Sequence, residues 1–255
     1  MVHLDDALLR RALEVGRTLD LSDCFYDPTR PTGGAASREC PPYYALLAGL
    51  VRVTGARTVV ELGTHYGGAT LAMARGFQDP AAGRIVTLDV TAMPNPHLES
   101  LAAVRRVQGD VFSADTLGRT LRALEGRAVD LMFLDIVHGY HQTKRALGLY
   151  ANRLQPELIA LDDVDLNGGM RLLWRELRAA WPAIDPTALV EREAAGFGLL
   201  QPPRPMQLDE GEPWRAAVWG LRRAVAARTP RAVKRGVTAL LDALPGAVRK
   251  RLDPS

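Results

Sequence analysis

Asp135 is followed 27 residues later by the pair Asp162 and Asp163, and each acid stands where a short apolar run ends. The run from Val129 to Leu134 leads to the first, and that from Leu158 to Leu161 to the second. Between them lie His138 and a helical stretch reaching about Leu154. A strand-helix-strand unit of this length is a right-handed crossover, which sets the two strand ends side by side on one edge of a parallel sheet. Neighbouring strands are roughly 4.8 Å apart, so the three carboxylates are expected to converge. Left alone they would repel one another, and a hard divalent cation would remove that cost. His138, three positions after Asp135, falls on the same edge and can take a proton near neutral pH. His141, at the start of the same helix, is the alternative base. The arrangement indicates a metal-assisted active site on Asp135, Asp162 and Asp163 rather than a surface acid patch.

A second constellation lies upstream. Glu61, Gly63, Gly67 and Gly68 fall between an apolar strand and a helix, in the order acid-x-Gly-x-x-x-Gly-Gly. Glycines there let the chain turn sharply and let a ligand approach the main chain. The dinucleotide fingerprint G-x-G-x-x-G fails because His65 stands two places after Gly63, and no P-loop pattern occurs. Asp89 ends the next strand, where a carboxylate accepts ribose hydroxyls. Asp110 ends the third, placed to bond an adenine amino group. Polar residues cap parallel strands routinely. Four acids ending successive strands (Glu61, Asp89, Asp110, Asp135) nonetheless mark the edge where open α/β sheets bind ligands.

The elements that must position these groups follow from the hydrophobic pattern. Residues 4–19 read as an amphipathic helix, and Ser22 to Pro42 as a loop rich in turn formers. A helix from Tyr43 to Val53 is stopped by Gly55. Strands are predicted at 58–62, 84–88, 104–108, 129–134 and 158–161, alternating with helices at 67–75, 114–124, 140–154 and 170–181. Segments near 187–191 and 197–201 would complete the sheet. Alternation of this kind predicts an α/β fold with a doubly wound, mostly parallel sheet. The chain divides into an N-terminal helix with a lid-like loop (1–42), a catalytic domain (43–205) and a basic helical tail (206–255). The loop from Asp163 to Gly169 and the segment from Ser22 to Pro42 are both placed to close over the site and exclude water.

Residues of about 43–201 resemble a class I S-adenosylmethionine-dependent methyltransferase, with Glu61 to Gly67 matching its first motif. The stretch from Phe133 to Tyr140, read on to Asp162 and Asp163, is similar to metal-dependent O-methyltransferases. It is closest in character to the branch acting on sugars in macrolide, polysaccharide and aminocoumarin pathways. The resemblance implies a Rossmann-like fold whose S-adenosylmethionine is held by Glu61, Gly63, Thr64, Gly67, Gly68, Asp89, Asp110, Val111 and Asp135. It also implies Mg²⁺ on Asp135, Asp162 and Asp163, with Mn²⁺ or Co²⁺ as substitutes, His138 as base, and a homodimer. Other members carry an acid two places after the first metal ligand. Val137 stands there in this chain, which therefore follows the histidine variant.

Composition narrows the alternatives. A chain of 255 residues, 47% hydrophobic, can bury a large core in one domain. Cys24 and Cys40 are too few for a zinc knuckle or redox pair, no run has the length of a membrane span, and the opening residues lack an apolar leader. The expected setting is cytoplasmic. Residues 211–255 hold ten Arg or Lys against three acids, so the basic balance belongs to the tail. Trp214, Val218, Leu221 and Val225, then Val233, Val237, Leu240 and Leu244, recur there at helical spacing. Packing on the body or across a dimer is one reading of them, and peripheral contact with anionic membrane is the other. For function, methylation of a carbohydrate hydroxyl (an antibiotic deoxysugar or a mannose-type oligosaccharide) is set against methylation of a catechol-type phenol. RNA methylation through the tail is the alternative from another class, and no nucleic-acid partner is expected, because the body is slightly acidic and base-methylating motifs are missing. A binding protein without activity is the last alternative.

Overall fold

The structure, a computed structural model, describes residues 3–27, 40–192 and 195–209. Strands β1 (Thr58–Leu62), β2 (Arg84–Asp89), β3 (Val104–Gln108), β4 (Leu131–Leu134) and β5 (Leu158–Asp162) are all parallel. Two further strands, β6 (Ala183–Ile184) and β7 (Phe197–Leu200), extend the sheet, and β7 runs antiparallel to both β5 and β6. The order across the sheet is β3-β2-β1-β4-β5-β7-β6. β1, β4 and β5 are buried along their whole length, which is why they read as continuous apolar runs rather than alternating ones. The mostly parallel, Rossmann-like fold expected from the alternation is present.

Helices cover both faces. On one, α1 (Asp6–Gly16), α2 (Pro42–Thr54) and α3 (Gly68–Gly76) pack into a cluster with Val59, Ile85, Phe133 and Phe197. On the other, α5 (Ala114–Ala123), α6 (Tyr140–Leu154) and α7 (Gly168–Ala180) pack with Val60, Val86, Met132 and Ile159. α1 and α2 touch backbone to backbone. A Cβ on Gly49 would lie 1.7 Å from the Ala12 carbonyl oxygen, and one on Gly16 would lie 1.8 Å from that of Ala45. Only glycine admits that approach.

The strand ends fall where the spacing placed them. Leu134 pairs with Leu161 and Leu62 with Leu134, so Gly63, Asp135 and Asp162 follow in step on one edge. Three details differ from expectation. The segment 187–191 is a turn, with the Leu189 and Val190 amides bonded to the Pro186 carbonyl; the edge strand lies earlier, at β6. Buried Val190 imitated a strand residue. The short helix α4 (Pro96–Glu99), capped by Asn95, is one turn long and leaves no periodic trace. α1 begins at Asp6 because the Asp5 carboxylate caps the Leu8 amide at 2.7 Å.

Residues 206–209 run against α6, where Asn152 and Gln155 bind the Leu208 and Met206 amides. The basic tail from 210 onward, and with it the membrane and dimer readings, lies outside the described residues, as does the part of the expected lid at 28–39. Among the described residues no helix is long and apolar enough to cross a membrane.

Candidate active site

The loop leaving β1 is built against its neighbours on both sides. The Gly63 and Thr64 amides donate to the Leu88 carbonyl at the end of β2, at 2.8 and 3.1 Å. Gly63 has φ +100, and a Cβ there would come within 1.8 Å of the Asp135 carbonyl oxygen. The loop therefore lies in direct backbone contact with the C-terminal end of β4. Gly67, at φ +89, opens α3 and presents the helix N-terminus to the loop.

Glu61 lies beneath this loop and is wholly buried. Thr70 and Thr87 both donate to its Oε2, and Thr64 donates in turn to Thr87 at 2.6 Å. Burial pushes the Glu61 carboxyl up to about 8, against the pull of the two hydroxyls. The residue braces the loop from below rather than lining the space above it.

That space consists of two adjoining cavities. One, of about 210 Å³, is bounded by Tyr26, Tyr44, Gly63, Gly67, Asp135 and His138. The other, of about 250 Å³, is bounded by Thr87, Thr91, Arg106, Val107 and Gln108. Thr64 and Asp89 line both. Asp89 accepts the His65 amide on one oxygen (2.8 Å) and the Thr91 amide on the other (2.9 Å), which fixes the carboxylate while leaving a lone pair on each oxygen for a diol. Of the expected cofactor residues, Gly63, Thr64, Gly67, Asp89 and Asp135 face this space. Glu61 does not, and Gly68 is buried against the Phe25 carbonyl. Asp110 and Val111 lie outside both cavities: Asp110 is exposed and caps the Phe112 amide, and Gln108 takes the expected place beside the second cavity.

The acidic edge is more crowded than the sequence suggested. His138 stands between two carboxylates, its Nε2 3.4 Å from Asp135 Oδ1 and its Nδ1 3.1 Å from Asp163 Oδ2. Arg192 Nη2 reaches Asp162 Oδ2 at 2.6 Å and Asp163 Oδ1 at 2.7 Å. Its guanidinium also lies over the Tyr43 ring, 4.9 Å from the centroid. Asp163 has φ +59, a left-handed conformation that costs a non-glycine residue energy and that the amide bond to the Gly196 carbonyl helps to hold. Burial pulls the His138 imidazole down, but the contact with Asp135 and the charges of Asp163, Asp135 and Asp162 outweigh it and hold it above the ordinary value. Burial, then the charge of Asp135, pushes Asp162 up to about 7 despite Arg192.

This arrangement departs from the expected metal cage on Asp135, Asp162 and Asp163. Among the described residues, no three carboxylate, imidazole or thiol groups come together as an ion requires. The physical reason is that an imidazole and a guanidinium already stand between the acids. His141 packs edge-on against Tyr140, 5.0 Å between ring centroids, and is not in the cluster. The loop after β5 is pinned rather than loose, since Asn167 caps Met170 and donates to the His138 carbonyl, while Asp165 bonds Ala195. Arg192 escaped sequence reasoning because it sits between Glu191 and Glu193 and reads as surface charge. The one available signal was the need of three converging carboxylates for a cation. Tyr26 escaped for lack of any periodic context, yet its ring lies 5.6 Å from His65 and walls the first cavity.

Residues 60–164 match the family model of a methyltransferase domain. The matched stretch begins within β1 and ends just past Asp163, so it contains every expected site residue but not Arg192. No curated protein matches the chain in sequence. Among solved structures, similarity is found to an O-methyltransferase from Bacillus cereus in complex with SAH, at 21% identity over 79% of this chain and 93% of that one, with a TM-score of 0.45. TomG from Streptomyces achromogenes, an O-methyltransferase involved in tomaymycin synthesis and solved with SAM, shares 22% identity over 79% and 91% of the two chains, with a TM-score of 0.47. Cofactor-bound Rv0187 from MTB shares 25% over 77% and 90%, with a TM-score of 0.46.

Proposed function

We propose that the chain is an S-adenosylmethionine-dependent O-methyltransferase in which His138 takes the proton from an acceptor hydroxyl. The observation that carries this reading is the placing of His138 and the Gly63–Gly67 loop on the walls of one cavity, within a stretch that matches a methyltransferase domain. When bound, the cofactor supplies an electrophilic methyl group whose sulfonium needs no acid to leave. The residues fit it: Asp89 joins the two cavities where a ribose would lie, and the glycine loop, seated against the Asp135 carbonyl because Gly63 has no Cβ, borders the space for a methionine moiety.

The chain's own groups then have separable tasks. Asp163 orients the imidazole through Nδ1 at 3.1 Å, while Nε2, 3.4 Å from Asp135 Oδ1, makes no hydrogen bond among the described residues. The neutral imidazole, with one nitrogen free to accept, takes the hydroxyl proton, and the two carboxylates stabilise the imidazolium that results. Tyr26 and Tyr44 present aromatic surface to the same space and restrict how an acceptor can enter. We take the acceptor to be a carbohydrate hydroxyl, on the resemblance of the 133–140 and 161–163 stretches; a catechol-type phenol is the competing acceptor. Magnesium is left out of this account because Arg192 and His138 occupy the acids that would bind it.

Calorimetric titration of SAH, followed by methyl-transfer assays over matched panels of sugars and phenols, tests the reading. Binding of one SAH per chain, weakened at least about tenfold in Asp89→Ala as expected for loss of hydrogen bonds to a charged group, with turnover on a sugar, is the expected result. Absence of SAH binding would overturn it. Turnover on catechols alone would move the acceptor class and leave the transferase standing.

A further inference from the structure

We propose that Arg192 is the resident counter-cation of Asp162 and Asp163, filling the place of a divalent ion, and that these acids take up such an ion only when Arg192 is withdrawn. The inference extends the reading of the acidic edge as part of an active site, but it does not depend on which methyl acceptor is used.

Three observations support it. First, a single nitrogen, Nη2, makes charge-assisted contacts to both carboxylates at 2.6 and 2.7 Å, and so occupies the point between them rather than one flank. Second, the side chain is held there from two sides. Its guanidinium lies over the buried Tyr43 ring of α2, and its backbone carbonyl accepts the Ala195 and Gly196 amides, so the loop before β7 is folded around it. Third, the acids are not fully satisfied. Asp162 is 3% exposed, and among the described residues its Oδ1 has no hydrogen-bond partner while Oδ2 is bound to Arg192. Removing one partner of a buried ion pair leaves an uncompensated charge, which is strongly unfavourable. With the guanidinium withdrawn, Asp162 and Asp163 would present the carboxylate oxygens that hard divalent ions prefer. The same residues can therefore be closed by a guanidinium or opened to an ion, and the chain as folded is closed.

The probe is Mn²⁺ alone, titrated into the full chain and followed by electron paramagnetic resonance of the free ion. Arg192→Gln should bind one Mn²⁺ at least tenfold more tightly than the unaltered protein, and the gain should vanish in Arg192→Gln/Asp163→Asn. Arg192→Lys, which keeps a cation able to bridge the pair, should stay close to the unaltered protein. Arg192→Met keeps the stem over Tyr43 and gives the same reading if the glutamine variant does not fold. Equal Mn²⁺ affinity with and without Arg192, or a gain that survives Asp163→Asn, would overturn the proposal. SAH binding, measured separately on the same proteins, reports on the transferase reading, so the two can fail independently.

Discussion

A base must be neutral before it can accept a proton, and the surroundings of His138 favour its charged form. Its imidazole is held above its ordinary 6.5 by Asp135 and Asp163. The base form is therefore scarce at low pH and accumulates as pH rises through the raised value, so kcat/KM should climb with pH and level off only above 6.5. His138→Ala should remove that limb and lower kcat by roughly 10²-fold or more while SAH affinity stays unchanged, which a pH-rate profile with calorimetry would check. Glu61 offers a second titration, this time read in stability. Burial raises its carboxyl from 4.5 to about 8, so the fold favours the neutral acid. Below pH 4.5 the group is neutral in both folded and unfolded chains and costs nothing; as pH rises toward 8 its ionisation increasingly favours unfolding. Glu61→Gln should thus have little effect on Tm at pH 4 and raise it at pH 8. The meeting of Asp135, His138 and Asp163 was legible from residue type and position. Arg192 was not, because whether a charged loop residue turns inward depends on a tertiary contact with Tyr43 that no local pattern encodes.

Among the elements, strands were legible and their supports less so. β1 and β5 fall where apolar runs predict, since a strand buried on both faces must be continuously apolar or nearly so. The turn at 187–191 misled because one buried valine in a short segment looks the same in a strand or a loop. Nor does any pattern show that α1 and α2 meet through glycines, although that contact fixes the N-terminal layer. Gly49→Ala should force the helices apart and destabilise the protein by about 1–3 kcal/mol. Denaturant unfolding would measure it, and a cost no larger than that of Gly118→Ala would show the contact to be compliant. Gly118 is a fair control, being helical with only the end of the Arg122 side chain nearby.

At the scale of the molecule, the charge is divided between a slightly acidic body and a basic tail. A chain ending at Asp209 should keep full SAH affinity, because the described site draws on nothing beyond β7. If the tail makes the expected contact with anionic surfaces, that shortened chain should also fail to sediment with vesicles rich in anionic lipid, while the full chain does so and is released by salt. The order of strands and helices in the body was legible from their alternation; the tail lies outside the described residues, and its two amphipathic stretches suit a protein partner as well as a bilayer.

The antiparallel strand β7 also bears on how the protein is made. β1 to β5 and their crossover helices all precede Arg192 in the chain, so the edge bearing Asp135, Asp162 and Asp163 is built from residues that come before it. The residue that quiets those charges arrives only with the loop that leads into β7, which must then insert beside β5 in the opposite direction. A released chain shortened to end near residue 185 would thus present an unpaired β5 edge and leave Asp162 and Asp163 without their guanidinium. Completion of the active edge and closure of the sheet become one late event.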